Sequence, residues 1–94
     1  MEISWKTSAV KDLKFVHQFY LAKSKSAADK IVRTILSSVE EIQFTKQYQV
    51  DDILGEPYRR IVVYHCKVIY QPNKKGIVVL RIFDTRQNPK SQRV

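Results

Sequence analysis

The run IVVLRIF, residues 77–83, constrains the fold more than any other stretch of this chain. Side chains along a strand alternate between faces, so Val78, Leu80 and Ile82 are expected on one side and Ile77, Val79, Arg81 and Phe83 on the other. Both faces are then apolar with one cation intruding, the pattern of a strand covered on both sides. Helices elsewhere in the chain can cover one face. No further element remains for the second, so a partner is expected to cover it.

The covering elements are upstream. Residues 2–5, EISW, read as a short edge strand. Thr7 or Ser8 can cap a first helix in which Ala9, Leu13, Val16 and Tyr20 recur at helical spacing. Ser24-Lys25-Ser26 interrupts that pattern, and Ser26 followed by Asp29 resembles a capping box with an acid in the first turn. Ala28, Ile31, Val32, Ile35, Val39 and Ile42 then form the apolar stripe of a second helix. So short a link predicts antiparallel packing of the two helices as an αα-hairpin.

Residues 45–57 are polar, contain Gly55 and Pro57, and read as a loop. Strand-like runs follow at 58–64 (YRRIVVY), 67–71 (KVIYQ) and 77–84 (IVVLRIFD). Pro72-Asn73-Lys74-Lys75-Gly76 supplies turn chemistry for a hairpin, and the His65-Cys66 junction is tighter. The expected class is α+β in the order β-α-α-β-β-β, a largely antiparallel sheet with a two-helix hairpin packed on one face.

Ninety-four residues suit one domain, 1–94, with a modest core and no large enclosed cofactor cavity. No apolar run approaches the roughly 20 residues of a membrane span. The single cysteine, Cys66, cannot form an internal disulfide and has no partner for a cysteine-based metal site. A reducing, cytoplasmic setting is the simplest reading. With only Gly55 and Gly76, no phosphate-cradling glycine loop is possible. Neither a metal nor a cofactor is expected.

The formal net charge of +8 is unevenly placed. Residues 1–56 carry eight Lys/Arg and eight Asp/Glu, whereas residues 57–94 carry nine Lys/Arg against one acid, Asp84. The excess is interleaved with strand residues rather than gathered in a tail, which points to an acidic or polyanionic partner.

The succession ISW, DLKFVHQFY, AADKIVRTI, YRRIVV, KVIY and IFDTRQNP resembles the RelE/ParE superfamily, toxins of bacterial type II toxin–antitoxin modules that include plasmid stabilisation proteins. The resemblance covers almost the whole chain. It implies a small sheet with an α-hairpin on one side, an open basic face on the other, and a cognate antitoxin as partner. RelE-like members cut messenger RNA on the ribosome without a metal, which requires a base, cations for the phosphorane charge and an acid. Arg59, Lys67 and Arg86 match the family's basic constellation and are the catalytic candidates, with His65 and Tyr64 as possible acid–base groups. Arginine suits such a role because its planar fork meets phosphate oxygens in pairs. Arg60, Arg81, Lys74, Lys75 and Lys90 are candidates for nucleic-acid or target contact.

Two departures stand out. The tyrosine or histidine that usually follows the last arginine is missing from QNPKSQRV, and lysine replaces the more usual arginine at 67. Members resembling ParE poison DNA gyrase by binding and do not need those groups. Three readings follow: a ribosome-dependent endonuclease or a degenerate version of one, a non-enzymatic gyrase inhibitor, or a non-toxic basic RNA-binding domain.

Overall fold

The four strands pair in the order β1-β4-β3-β2 in the computed structural model, which describes residues 2–45, 51 and 53–85. They are β1 (Glu2–Trp5), β2 (Arg59–Val63), β3 (Cys66–Pro72) and β4 (Gly76–Asp84), with helices α1 (Thr7–Leu21) and α2 (Lys25–Thr45) between the first two. The antiparallel pairs β2–β3 and β3–β4 follow from tight turns. Tyr64 enters the first of these with a left-handed φ of 56°, a conformation that two-residue hairpins favour. In the second, Asn73 Oδ1 accepts the amides of Lys75 and Gly76 at 2.9 and 2.8 Å. β1 instead runs parallel to β4, from Glu2 opposite Gly76 to Trp5 opposite Val79, because the helical hairpin intervenes before the sheet resumes.

Both helices lie on one face, as their periodicity predicts. Ala9, Ile31, Ile35, Val39 and Ile42 meet Val63, Val68, Tyr70, Ile77, Val79 and Ile82 in one buried core. Each fully buried aliphatic side chain there contributes about 1.5–3 kcal/mol. Truncating Ile35, wholly enclosed, to alanine would cost about 2–5 kcal/mol.

The helix ends differ from expectation. Neither Thr7 nor Ser8 caps α1: Lys6 occupies the cap position without a side-chain bond. Ser8 Oγ donates instead to the carbonyl of Leu80, 2.9 Å away. The second helix starts one residue before Ser26, its Ser24 Oγ accepting from the Ala27 amide at 3.3 Å. Asp29 is therefore released from any capping role and meets His17 Nε2 at 3.0 Å, tying α2 to α1. That imidazole lowers the Asp29 carboxyl below its usual range, against a smaller opposing effect of burial.

Simple alternation also fails in the last strand. A register shift between Ile69 and Tyr70 sets Ile69 opposite Arg81 but Tyr70 opposite Val79, so Leu80 is the extra residue of a bulge. Ile77, Val79 and Ile82 therefore face the helices. Val78, Leu80 and Phe83 face the other way with Ile69. One inserted residue exchanges the faces of everything after it.

The second face is not left open to a partner along its whole length. Leu54 and Tyr58 pack against Ile69, Leu80 and Phe83, so the segment 51–58 builds a second, smaller core. Gly55 allows this fold-back, turning with φ of 71° where a side chain would be strained.

Candidate functional site

The pleat decides which of the expected cations can meet. In the β2–β3 register Arg59 stands opposite Tyr70 and Ile61 opposite Val68, so Arg59 belongs to the helix side. Arg60 stands opposite Ile69, and Lys67 opposite Val62 and Phe83, on the other side. Arg60, Lys67 and Arg81 thus share a face, and Arg59 does not join them. Arg86 and Lys90 lie outside the described residues.

Each of these cations has an acid beside it. Lys67 Nζ lies 2.7 Å from Asp51 Oδ1, and the residues are 3% and 1% exposed. Asp51 Oδ2 also accepts the amides of Ile53 and Leu54 at 3.1 and 2.7 Å, the local turn that aspartate favours. Burial pushes this carboxyl up, but Lys67 and the two amides outweigh it and hold the group below its usual range. Arg60 Nε approaches the same carboxylate at 3.9 Å. On the opposite face Arg59 Nη1 meets Glu56 Oε2 at 2.7 Å.

Arg81 is held at the sheet edge. Its Nε and Nη2 donate to Asp12 of α1 at 2.7 and 3.2 Å, and its guanidinium lies 5.0 Å from the Phe83 ring centre. The same carboxylate, Asp12 Oδ2, accepts the Ile82 amide at 2.9 Å. This is where β1 has ended, so Ser8 and Asp12 satisfy backbone groups that a neighbouring strand would otherwise take. Asp12 raises the basicity of Arg81 further, ahead of an opposing effect of burial.

The remaining candidates separate along the sheet. Lys74 and Lys75 are exposed in the β3–β4 turn. His65 is exposed in the β2–β3 turn at the other end, about 20 Å away at strand rise. The His65 carbonyl accepts both the amide and the hydroxyl of Thr85, at 2.8 and 3.2 Å. Thr85, the last described residue, is thereby fastened to the β2–β3 turn. Exposed Tyr64 adjoins His65.

A groove of about 440 Å³ runs between α1 and the end of β4, lined by Phe15, Phe19, Arg81, Phe83 and Asp84 among others. Phe15 is 67% exposed at its rim. Asp12, Asp51 and Glu56 were the residues missed by reading cations alone; their signal lay in acids spaced to meet those cations only after folding. Among the described residues no three His, Cys, Asp or Glu gather as a metal site, and no helix is long and apolar enough to cross a membrane.

Residues 3–89 match the family model described as the ParE toxin of the type II toxin–antitoxin system parDE. A solved structure titled as the chromosomal ParDE TA system from P. aeruginosa superposes with a TM-score of 0.79 at 20% identity. The match covers 92% of this chain and 97% of that one, a likeness of fold. No curated protein matches the sequence.

Proposed function

The chain belongs to the ParE toxin family of type II toxin–antitoxin systems, which implies a cognate antitoxin, and on that footing we propose that it acts by binding a protein target rather than by cutting messenger RNA. DNA gyrase is the target class that the resemblance to ParE-like members suggests. The observation that carries this reading is the burial of Lys67 against Asp51. A cation that must stabilise a phosphorane has to reach a phosphate, and an ammonium sealed in an ion pair does not. Arg59, on the opposite face and paired with Glu56, offers no replacement beside it. Binding, by contrast, uses the excess positive charge of residues 57–94 without any acid–base group.

One observation favours the nuclease reading: exposed His65 is hydrogen-bonded to the residue preceding Arg86. Induced expression with parallel RNA and DNA readouts separates the two. The binding reading expects loss of negative supercoiling and an intact message. Codon-phased cuts at unchanged topology would overturn it.

A further inference from the structure

Tyr64 sits where the fold itself would favour another residue. It opens the two-residue turn between β2 and β3 at a φ of 56°, where glycine, asparagine or aspartate is the ordinary occupant. A bulky side chain strains that backbone, and 53% of this tyrosine stays exposed. Little burial offsets the strain, which points to a use for the ring outside the fold. The ring borders a concave site. With His65 it lines a pocket of about 330 Å³ against Tyr20 of α1 and Ala27, Lys30 and Ile31 of α2. No acid is among these residues, Lys30 is exposed, and Lys23 Nζ stands 6.0 Å from the Tyr20 ring centre. The turn is also fastened, because the amide and hydroxyl of Thr85 both donate to the His65 carbonyl.

We propose that this pocket is where the toxin grips its protein target, receiving an acidic segment whose carboxylate pairs with Lys30 while Tyr64 packs over its apolar part. The inference rests on the reading that the toxin acts by binding protein, and adds to it a place of contact and a partner chemistry. A basic lining without acids attracts a carboxylate and repels nothing negative. Ala27 and Ile31 supply apolar surface for the methylenes that carry such a group. A tyrosine on a fastened turn loses little freedom on binding, which suits it to anchor a protein interface. A polynucleotide, by contrast, is held by a row of cations along its phosphates. Lys30 is the one lysine or arginine in this lining among the described residues. His65 serves chiefly through its backbone, which ties the turn to Thr85.

Affinity of the toxin for purified DNA gyrase, measured beside the urea midpoint of each variant, tests this. Tyr64→Gly relieves the turn and removes the ring, so the midpoint should hold or rise while affinity falls about tenfold or more. Tyr64→Phe keeps the ring and should stay within about threefold. Lys30→Glu should weaken binding about tenfold or more. Lys11→Glu, the same change of charge near the start of α1, should stay within about threefold. Unchanged affinity in Tyr64→Gly, or equal losses in Lys30→Glu and Lys11→Glu, would overturn the pocket's role and leave the protein-binding reading standing. An unaltered toxin that does not bind gyrase would overturn that reading, and this contact with it. Binding of a single-stranded RNA oligonucleotide that Tyr64→Gly abolishes, with gyrase affinity kept, would assign the pocket to nucleic acid and defeat the proposal.

Discussion

Lys67 Nζ and Asp51 Oδ1 stand 2.7 Å apart with side chains 4% and 0% exposed, so the pair joins β3 to the 51–58 segment almost wholly out of water. A buried pair is costly to break by halves and cheap to replace whole. Asp51→Ala should therefore destabilise the fold by about 3–5 kcal/mol, since Lys67 is left charged and enclosed. Asp51→Leu combined with Lys67→Met should recover most of that. What remains lost is the acceptor for the Ile53 and Leu54 amides, about 1 kcal/mol per bond. Urea unfolding midpoints check both, and a double variant as unstable as the single one would contradict the pair's role.

The same carboxylate sets a dependence on acid. Its folded-state pKa lies below the ordinary value of 3.8, so its contribution is complete above that value and is lost as pH falls through the lower, folded one. Stability attributable to Asp51 should thus be level from neutral pH down to about 5 and vanish only in stronger acid. The test is the difference in midpoint between the natural protein and the double variant across pH. A difference that closes already near neutrality would mean that another group titrates.

At the other edge of the sheet, Asp12 holds Arg81 and the Ile82 amide with one carboxylate. Asp12→Ala removes both and should cost about 1–3 kcal/mol, the amide being left without its acceptor at a buried residue. Asp12→Asn keeps an oxygen for Ile82 but loses the charge facing Arg81, so it should cost less. Thermal unfolding of the two variants ranks them; an Asn variant as unstable as Ala would make the Arg81 pair the dominant part.

Much of the fold could be read from period alone. The stripes of Ala9, Leu13, Val16 and Tyr20 and of Ile31, Ile35, Val39 and Ile42 fall on the helical core, and EISW is the short edge strand expected. Reading failed where geometry is set by long-range contact. The bulge at Leu80 carries no local signal strong enough to override alternation, yet it exchanges the faces of Ile82 and Phe83. The pair Arg59-Arg60 carries no local mark of which cation shares a face with Lys67, and only the β2–β3 register puts Arg60 there. Asp51 looked like loop polarity because its cation lies 16 residues away on another strand.

Antitoxin affinity should fall steeply with salt. Nine Lys/Arg against one acid in residues 57–94 make the encounter largely electrostatic, and salt screens exposed charge over roughly 8–10 Å. Titrations at increasing ionic strength check this. An affinity indifferent to salt would point to an apolar interface such as the Phe15 and Phe19 groove.

Toxicity in living cells distinguishes the candidate arginines. Arg59 is on the helix side and engaged by Glu56, so Arg59→Ala should leave induced growth arrest intact. Arg86 follows Thr85, which two hydrogen bonds fasten to His65 at an exposed turn, and Arg86→Ala should weaken arrest while circular dichroism shows the fold retained. His65→Ala then reports on mechanism. A protein-binding toxin loses at most a contact, so arrest should persist within a fewfold change of inducer. A nuclease using His65 in proton transfer would lose about 10²–10⁴ in rate, and with it the arrest. Rescue of growth by His65→Ala, in a folded protein and together with Arg86→Ala, would therefore move the reading from binding to catalysis.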